Sequence, residues 1–147
     1  SILTIKLFIM KFFLFLNLCF LSLIPLNSVA QSDIEAKANS GAKLICDCTK
    51  ASLSKNNIDV VKLAEIYKSY NTNKKLLSKY KSDVQKINDK LNLNYSTIES
   101  DIYACRSQFT QKYKSYLKNR DFLSRIENII NNNPYTAGPK LIKTLAN

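Results

Sequence analysis

Along residues 96–116 the apolar positions fall at Ile98, Ile102, Cys105, Phe109, Tyr113 and Tyr116. Steps of four and three make one continuous face of an α-helix. Ser96 and Glu99 have the spacing of a capping box, in which the hydroxyl meets the Glu99 backbone N–H and the carboxylate reaches back. Leu123, Ile126 and Ile130 continue nearly the same face past Asn119-Arg120-Asp121, so one long interrupted helix and two separate helices fit equally. Asn131-Asn132-Asn133-Pro134 ends the pattern, because proline disfavours helix at the residue before it. A fresh start over residues 136–139, with Pro139 early in it, leads to a last helix that buries Leu141, Ile142 and Leu145.

Upstream, residues 33–54 place Ile34, Ala38, Gly41, Ile45, Cys48 and Ser52 on one stripe, with Asp33 and Glu35 suited to the helix N-terminus. Gly41 costs about 1 kcal/mol relative to alanine inside a helix. It marks either a close helix–helix approach, the reading preferred here, or a weak first turn. After Lys55-Asn56-Asn57, the residues Val60, Leu63, Ala64 and Tyr67 form a second stripe reaching Tyr70, broken by Asn71-Thr72-Asn73. Leu77, Tyr80, Val84, Ile87 and Leu91 give a third helix, and Asn92 to Asn94 the turn after it. The chain has only two glycines and no alternating pattern. The expected fold is therefore all-α: a small bundle of five to six helices, mostly antiparallel because the connections are short.

The N-terminal segment changes the picture of where the domain begins. Lys11 precedes an apolar run from Phe12 to Leu26, followed by Asn27-Ser28-Val29-Ala30 with small residues where a signal peptidase reads. The expectation is a cleavable signal peptide over residues 1–30 and a single helical domain over 31–147. The apolar run falls short of the roughly 20 residues of a membrane span. Cys19 lies inside the run after Leu18, unlike a lipoprotein signal. Met10 is the one methionine, so translation starting there makes residues 1–9 an upstream extension. Removing the leader leaves 117 of the 147 residues, enough for one core. Lys6 and Lys11 leave with it; 20 of the 22 basic residues remain against 11 acidic ones, a net charge of +9.

Export puts the thiols in an oxidising compartment. Beyond the leader these are Cys46, Cys48 and Cys105. A redox reading of Cys46-Asp47-Cys48 meets two objections. Residues two apart on a helix lie about 200° around it and do not easily bridge, and no βαβ pattern surrounds them. The favoured reading is a disulfide between Cys48 and Cys105, with Cys46 as the alternative partner of Cys105. Cys48 is preferred because it shares the stripe of Ile34 and Ile45. Cys46 is then left over, either buried or free for an intermolecular bond.

Catalytic chemistry finds little to stand on. The chain has no histidine, which removes the usual general base, the usual hydrolase triads and most zinc sites. It has no phosphate-binding glycine loop or dinucleotide fingerprint. The near pairs Asp33/Glu35 and Glu99/Asp101 are two residues apart and point away from one another on a helix. No metal site and no cofactor are expected.

Lysine and tyrosine interleave at Tyr67-Lys68-Ser69-Tyr70, Lys79-Tyr80-Lys81 and Lys112-Tyr113-Lys114-Ser115-Tyr116. Such mixtures can grip polyanions. The tyrosines fall mostly on the apolar stripes, however, so core with a solvated lysine face is the ordinary reading. A polyanion surface would need Lys74, Lys75 and Lys79 to meet Lys112, Lys114, Lys118 and Arg120. Asn94-Tyr95-Ser96 fits a glycosylation acceptor, which has no meaning in the bacterial source that the leader suggests.

Leader, early Cys-x-Cys and a later helical cysteine suggest the small exported helical proteins of bacterial envelopes. The basic composition resembles that of periplasmic holdase chaperones, without the Leu-Thr-x-x-Gln repeats of one such group or the strands of another. No functional residue carries over from that resemblance. The functional expectation is a non-catalytic, exported binding module (periplasmic or secreted, monomer or disulfide-linked dimer) for an envelope or extracellular protein. Tyr103 and Leu117, which sit off the main stripe, are the candidate contact residues. The alternatives are a cationic module for an anionic polymer or lipid surface, a holdase, and a cysteine redox protein; specific nucleic-acid recognition is not expected.

Overall fold

The computed structural model describes residues 25–147, with side chains from residue 30. The signal-peptide reading falls chiefly on residues outside that range. The chain divides into two compact units, Ser1–Ala36 and Lys37–Asn147. The described part of the first is helical; the second carries the core and everything below.

Six α-helices and two short 3-10 helices make up the described chain, with no strand among the described residues. α1 is Pro25–Lys55, α2 Val60–Thr72, α3 Lys81–Leu93, α4 Tyr95–Lys112, α5 Arg120–Asn131 and α6 Pro134–Ala146. The 3-10 helices are Lys74–Tyr80, leading into α3, and Lys114–Tyr116, after α4.

Asparagine does much of the punctuation. Asn73, Asn119 and Asn133 each accept a backbone N–H at the start of the next helix, and Asp59 does the same for α2. Asn57 closes α1 in the left-handed region, φ 57°. There its N–H bonds Ser54 O at 3.0 Å and the Ile58 N–H bonds Leu53 O at 3.0 Å, the paired bonds of a left-handed cap.

Four expectations are corrected. α1 begins at Pro25, so Asp33 and Glu35 lie inside it rather than at its N-terminus. The Ser96/Glu99 capping box does not form. α3 runs to Leu93 and leaves only Asn94 as a turn, which puts Ser96 within the first turn of α4. Glu99 instead accepts the Tyr95 hydroxyl at 3.1 Å. The opening stripe is not helical throughout: α4 stops at Lys112, short of Tyr113 and Tyr116, and of the two open readings the one with a separate helix, α5 capped by Asn119, holds. Finally, α6 starts at Pro134 rather than after it, because the N–H that proline lacks is one that the first turn of a helix leaves unpaired in any case.

The core has two centres. Leu53, Ile58, Leu63, Ile66, Tyr80, Val84, Ile87, Leu91, Ile98 and Ile142 form the first, gathering α2, α3, α6, the start of α4 and the end of α1. The second is aromatic. Phe122 lies 6.2 Å from Phe109, 5.8 Å from Tyr113 and 5.2 Å from Tyr116, centroid to centroid. Phe109 and Tyr113 approach α1 at Gly41, where its face is small: Ala38, Gly41 and Ala42 are all buried. A Cβ on Gly41 would stand 2.8 Å from Phe109 Cε2, so the close-approach reading of this glycine holds.

Candidate functional site

α1 and α4 run antiparallel along a seam of cross-links. Tyr113 donates its hydroxyl to Ser40 Oγ at 2.8 Å. Cys48 and Cys105 form a disulfide, their Cα atoms 6.1 Å apart and 57 positions apart in sequence. One turn further on, Ser52 Oγ donates to Asp101 Oδ2 at 2.8 Å, and Lys55 Nζ stands 3.6 Å from Asp101 Oδ1. Cys46 is buried as a free thiol. Burial raises its pKa, a hydrogen bond with Thr136 opposes that, and the charge of Asp47 adds to it.

Beside this seam a groove of about 340 Å³ opens between α4 and α6. Its floor is Thr49, Leu91, Ile98 and Ile102; its walls carry Tyr95, Glu99, Tyr103 and Arg106 from α4, and Tyr135, Thr136, Pro139 and Lys143 from α6. Tyr95 and Tyr103 are 52% and 74% exposed. Lys143 Nζ lies 4.8 Å from the Tyr95 ring centroid, and Lys50 Nζ 4.9 Å from that of Tyr135. The hydrogen bond to Glu99, reinforced by its negative charge, raises the pKa of Tyr95 and keeps the phenol protonated.

Of the two candidate contact residues, Tyr103 stands in the groove wall. Leu117 is half-buried in the turn after Lys114–Tyr116 and does not line the groove. The basic candidates fall into two groups. Lys74, Lys75 and Lys79 ride the first 3-10 helix, which packs on α2 and α3. Lys112, Lys114, Lys118 and Arg120 follow the end of α4 that meets Ser40. Several lysines are turned onto the chain's own rings: Lys74 over Tyr70 at 4.6 Å, Lys79 over Tyr80 at 4.7 Å and Lys112 over Tyr113 at 5.6 Å. The lysine–tyrosine interleaving is thus used for internal cation–π contacts, each worth about 0.5–1 kcal/mol at an exposed site.

Sequence reasoning missed Tyr95, Glu99, Arg106, Tyr135, Pro139 and Lys143 as neighbours. One signal was available: Tyr95, Glu99 and Tyr103 are spaced by four and form a side stripe next to the buried one. That α6 would supply the opposite wall is not written in any local pattern. Among the described residues, no helix is long and apolar enough to cross a membrane, and no cluster of three ligand-type side chains could hold a metal ion. No protein-family model, curated protein or solved structure matches the chain.

Proposed function

We propose that this chain is an exported, non-catalytic binding module that holds a partner protein in the groove between α4 and α6. The observation carrying this reading is the pair of solvent-exposed tyrosines, Tyr95 and Tyr103, over an apolar floor of Leu91, Ile98 and Ile102. Tyrosine at such a place offers large contact area at low entropy cost and a hydroxyl for orientation, which is why it concentrates at interfaces. Export is supported by the signal-type leader and by the Cys48–Cys105 disulfide, which fits an oxidising compartment.

Site-specific photo-crosslinking tests the reading. With a benzophenone amino acid in place of Tyr103, a discrete cross-linked protein is expected from the native compartment. None is expected with the same group in place of Lys118, outside the groove. Cross-links at 118 alone would overturn it. So would capture that survives only well below about 0.15 M salt and yields to heparin, the behaviour of a cationic surface releasing counterions.

A further inference from the structure

The groove has the charge and the backbone chemistry to select among guests. Its walls are the sides of two helices, α4 and α6, whose backbone N–H and C=O groups bond along their own axes. A guest in extended conformation would bury its polar backbone against walls with no edge to pair with, at a cost of kilocalories per unmet group. A helical guest satisfies its own backbone and presents only side chains. From Tyr95 to Arg106 the α4 wall runs about 16 Å at 1.5 Å per residue, room for three turns of such a guest.

The rim is positive. Lys143 and Arg106 stand in the walls, and Lys50, outside the lining, lies over the ring of the lining residue Tyr135. One carboxylate, Glu99, offsets part of this charge; accepting the Tyr95 hydroxyl does not cancel its own, so Arg106 and Lys143 leave the lining with an excess of one positive charge.

We infer that the groove between α4 and α6 receives an acidic amphipathic helix of a partner protein, with its apolar face on Ile98, Ile102 and Tyr103 and its carboxylates toward Arg106, Lys143 and Lys50. This rests on the binding-module reading and names its ligand class. Tyr103 supplies the aromatic anchor. Arg106, whose planar guanidinium suits bidentate carboxylate pairing, sets the sign of the guest.

The test uses the full chain with its disulfide formed and three fluorescein-labelled peptides of about 15 residues, long enough for three to four turns. The first has Leu and Phe at i, i+3, i+4 and i+7 with Glu elsewhere. The second replaces every Glu with Lys, and the third puts Pro at the centre of the first. Fluorescence anisotropy at about 0.15 M salt is expected to show saturable binding of the acidic peptide. The lysine and proline peptides should bind at least about tenfold more weakly, one factor of ten being about 1.4 kcal/mol. Tyr103→Ala should weaken the acidic peptide similarly. Arg106→Glu should weaken the acidic peptide while strengthening the lysine one, a gain that a misfolded variant cannot produce. Equal binding of the acidic and lysine peptides, or indifference to Arg106→Glu, overturns the inference. If no peptide binds while cross-linking at position 103 still captures a protein, the acidic-helix inference fails and the groove reading stands. If both are negative, both fail. Concentration-dependent self-association abolished by Tyr103→Ala would assign the groove to a second copy and also overturn it.

Discussion

Cys46 lies two positions from the disulfide and about 200° around α1 from it. It is buried beside Thr136, and burial raises its pKa. An unfolded thiol titrates near pH 8.5. Above that value the unfolded chain releases the proton while the folded chain keeps it, which favours unfolding. The thiol's contribution is therefore complete below about pH 8.5 and is lost as pH rises toward the folded pKa. Wild type should lose more of its urea midpoint between pH 7 and pH 10 than Cys46→Ala does, since both share every other titrating group. Parallel losses would show that Cys46 is already solvated in the fold. The same burial predicts slow alkylation of Cys46 until the chain unfolds.

At the scale of elements, the contact of α1 with α4 and α5 depends on a face with almost no side chains. Gly41 faces Phe109 Cε2, Ile126 Cδ1 and Tyr113 Cε2 at the distances 2.8, 3.3 and 3.4 Å from a would-be Cβ. Gly41→Ala gains about 1 kcal/mol of helix propensity but forces an overpacked layer, which costs about 1–3 kcal/mol. A net loss of about 1 kcal/mol is expected from chemical denaturation, and Phe109→Leu should relieve part of it by withdrawing the ring edge. A stabilised Gly41→Ala protein would mean the aromatic layer yields freely. How elements were legible differs by what signals them. The buried residues Val84, Ile87 and Leu91 announce α3 because one face is apolar and the other solvated, the condition under which periodicity reports burial. The end of α4 was not legible. Tyr113 and Tyr116 continue its stripe, yet no glycine or proline marks the stop, where Tyr113 bonds Ser40 and packs on Phe122. The groove was legible only by halves. Tyr103 stood out as a large ring off the apolar stripe, whereas its opposite wall on α6 is a tertiary neighbour and leaves no trace in local spacing.

For the molecule as a whole, the disulfide stands between the two core centres. On α1, Leu53 belongs to the aliphatic centre and Gly41 faces the aromatic one, with Cys48 between them in the chain. The aliphatic centre draws chiefly on α2, α3 and α6, with Ile98 of α4 added and Ile142 and Leu53 wholly buried, and α6 packs directly on α2 and α3. The aromatic centre is held by α5, the end of α4 and the middle of α1. Its cross-links to α1 are the packing against Gly41, the Tyr113–Ser40 bond and the nearby disulfide. Closing a loop of this length contributes about 4 kcal/mol in the chain-entropy model, a large part of the roughly 5–15 kcal/mol that a domain has in total. Pairing Cys48→Ser with Cys105→Ser should therefore lower global stability by about that amount, and the loss should not be uniform. Native-state hydrogen exchange is expected to show amides of α5 and of residues 38–46 opening through a local route, while those of α3 keep exchange tied to global unfolding. Equal loss of protection in α3 and α5 would mean that the two centres melt as one unit and that the disulfide steadies the whole bundle rather than its aromatic end.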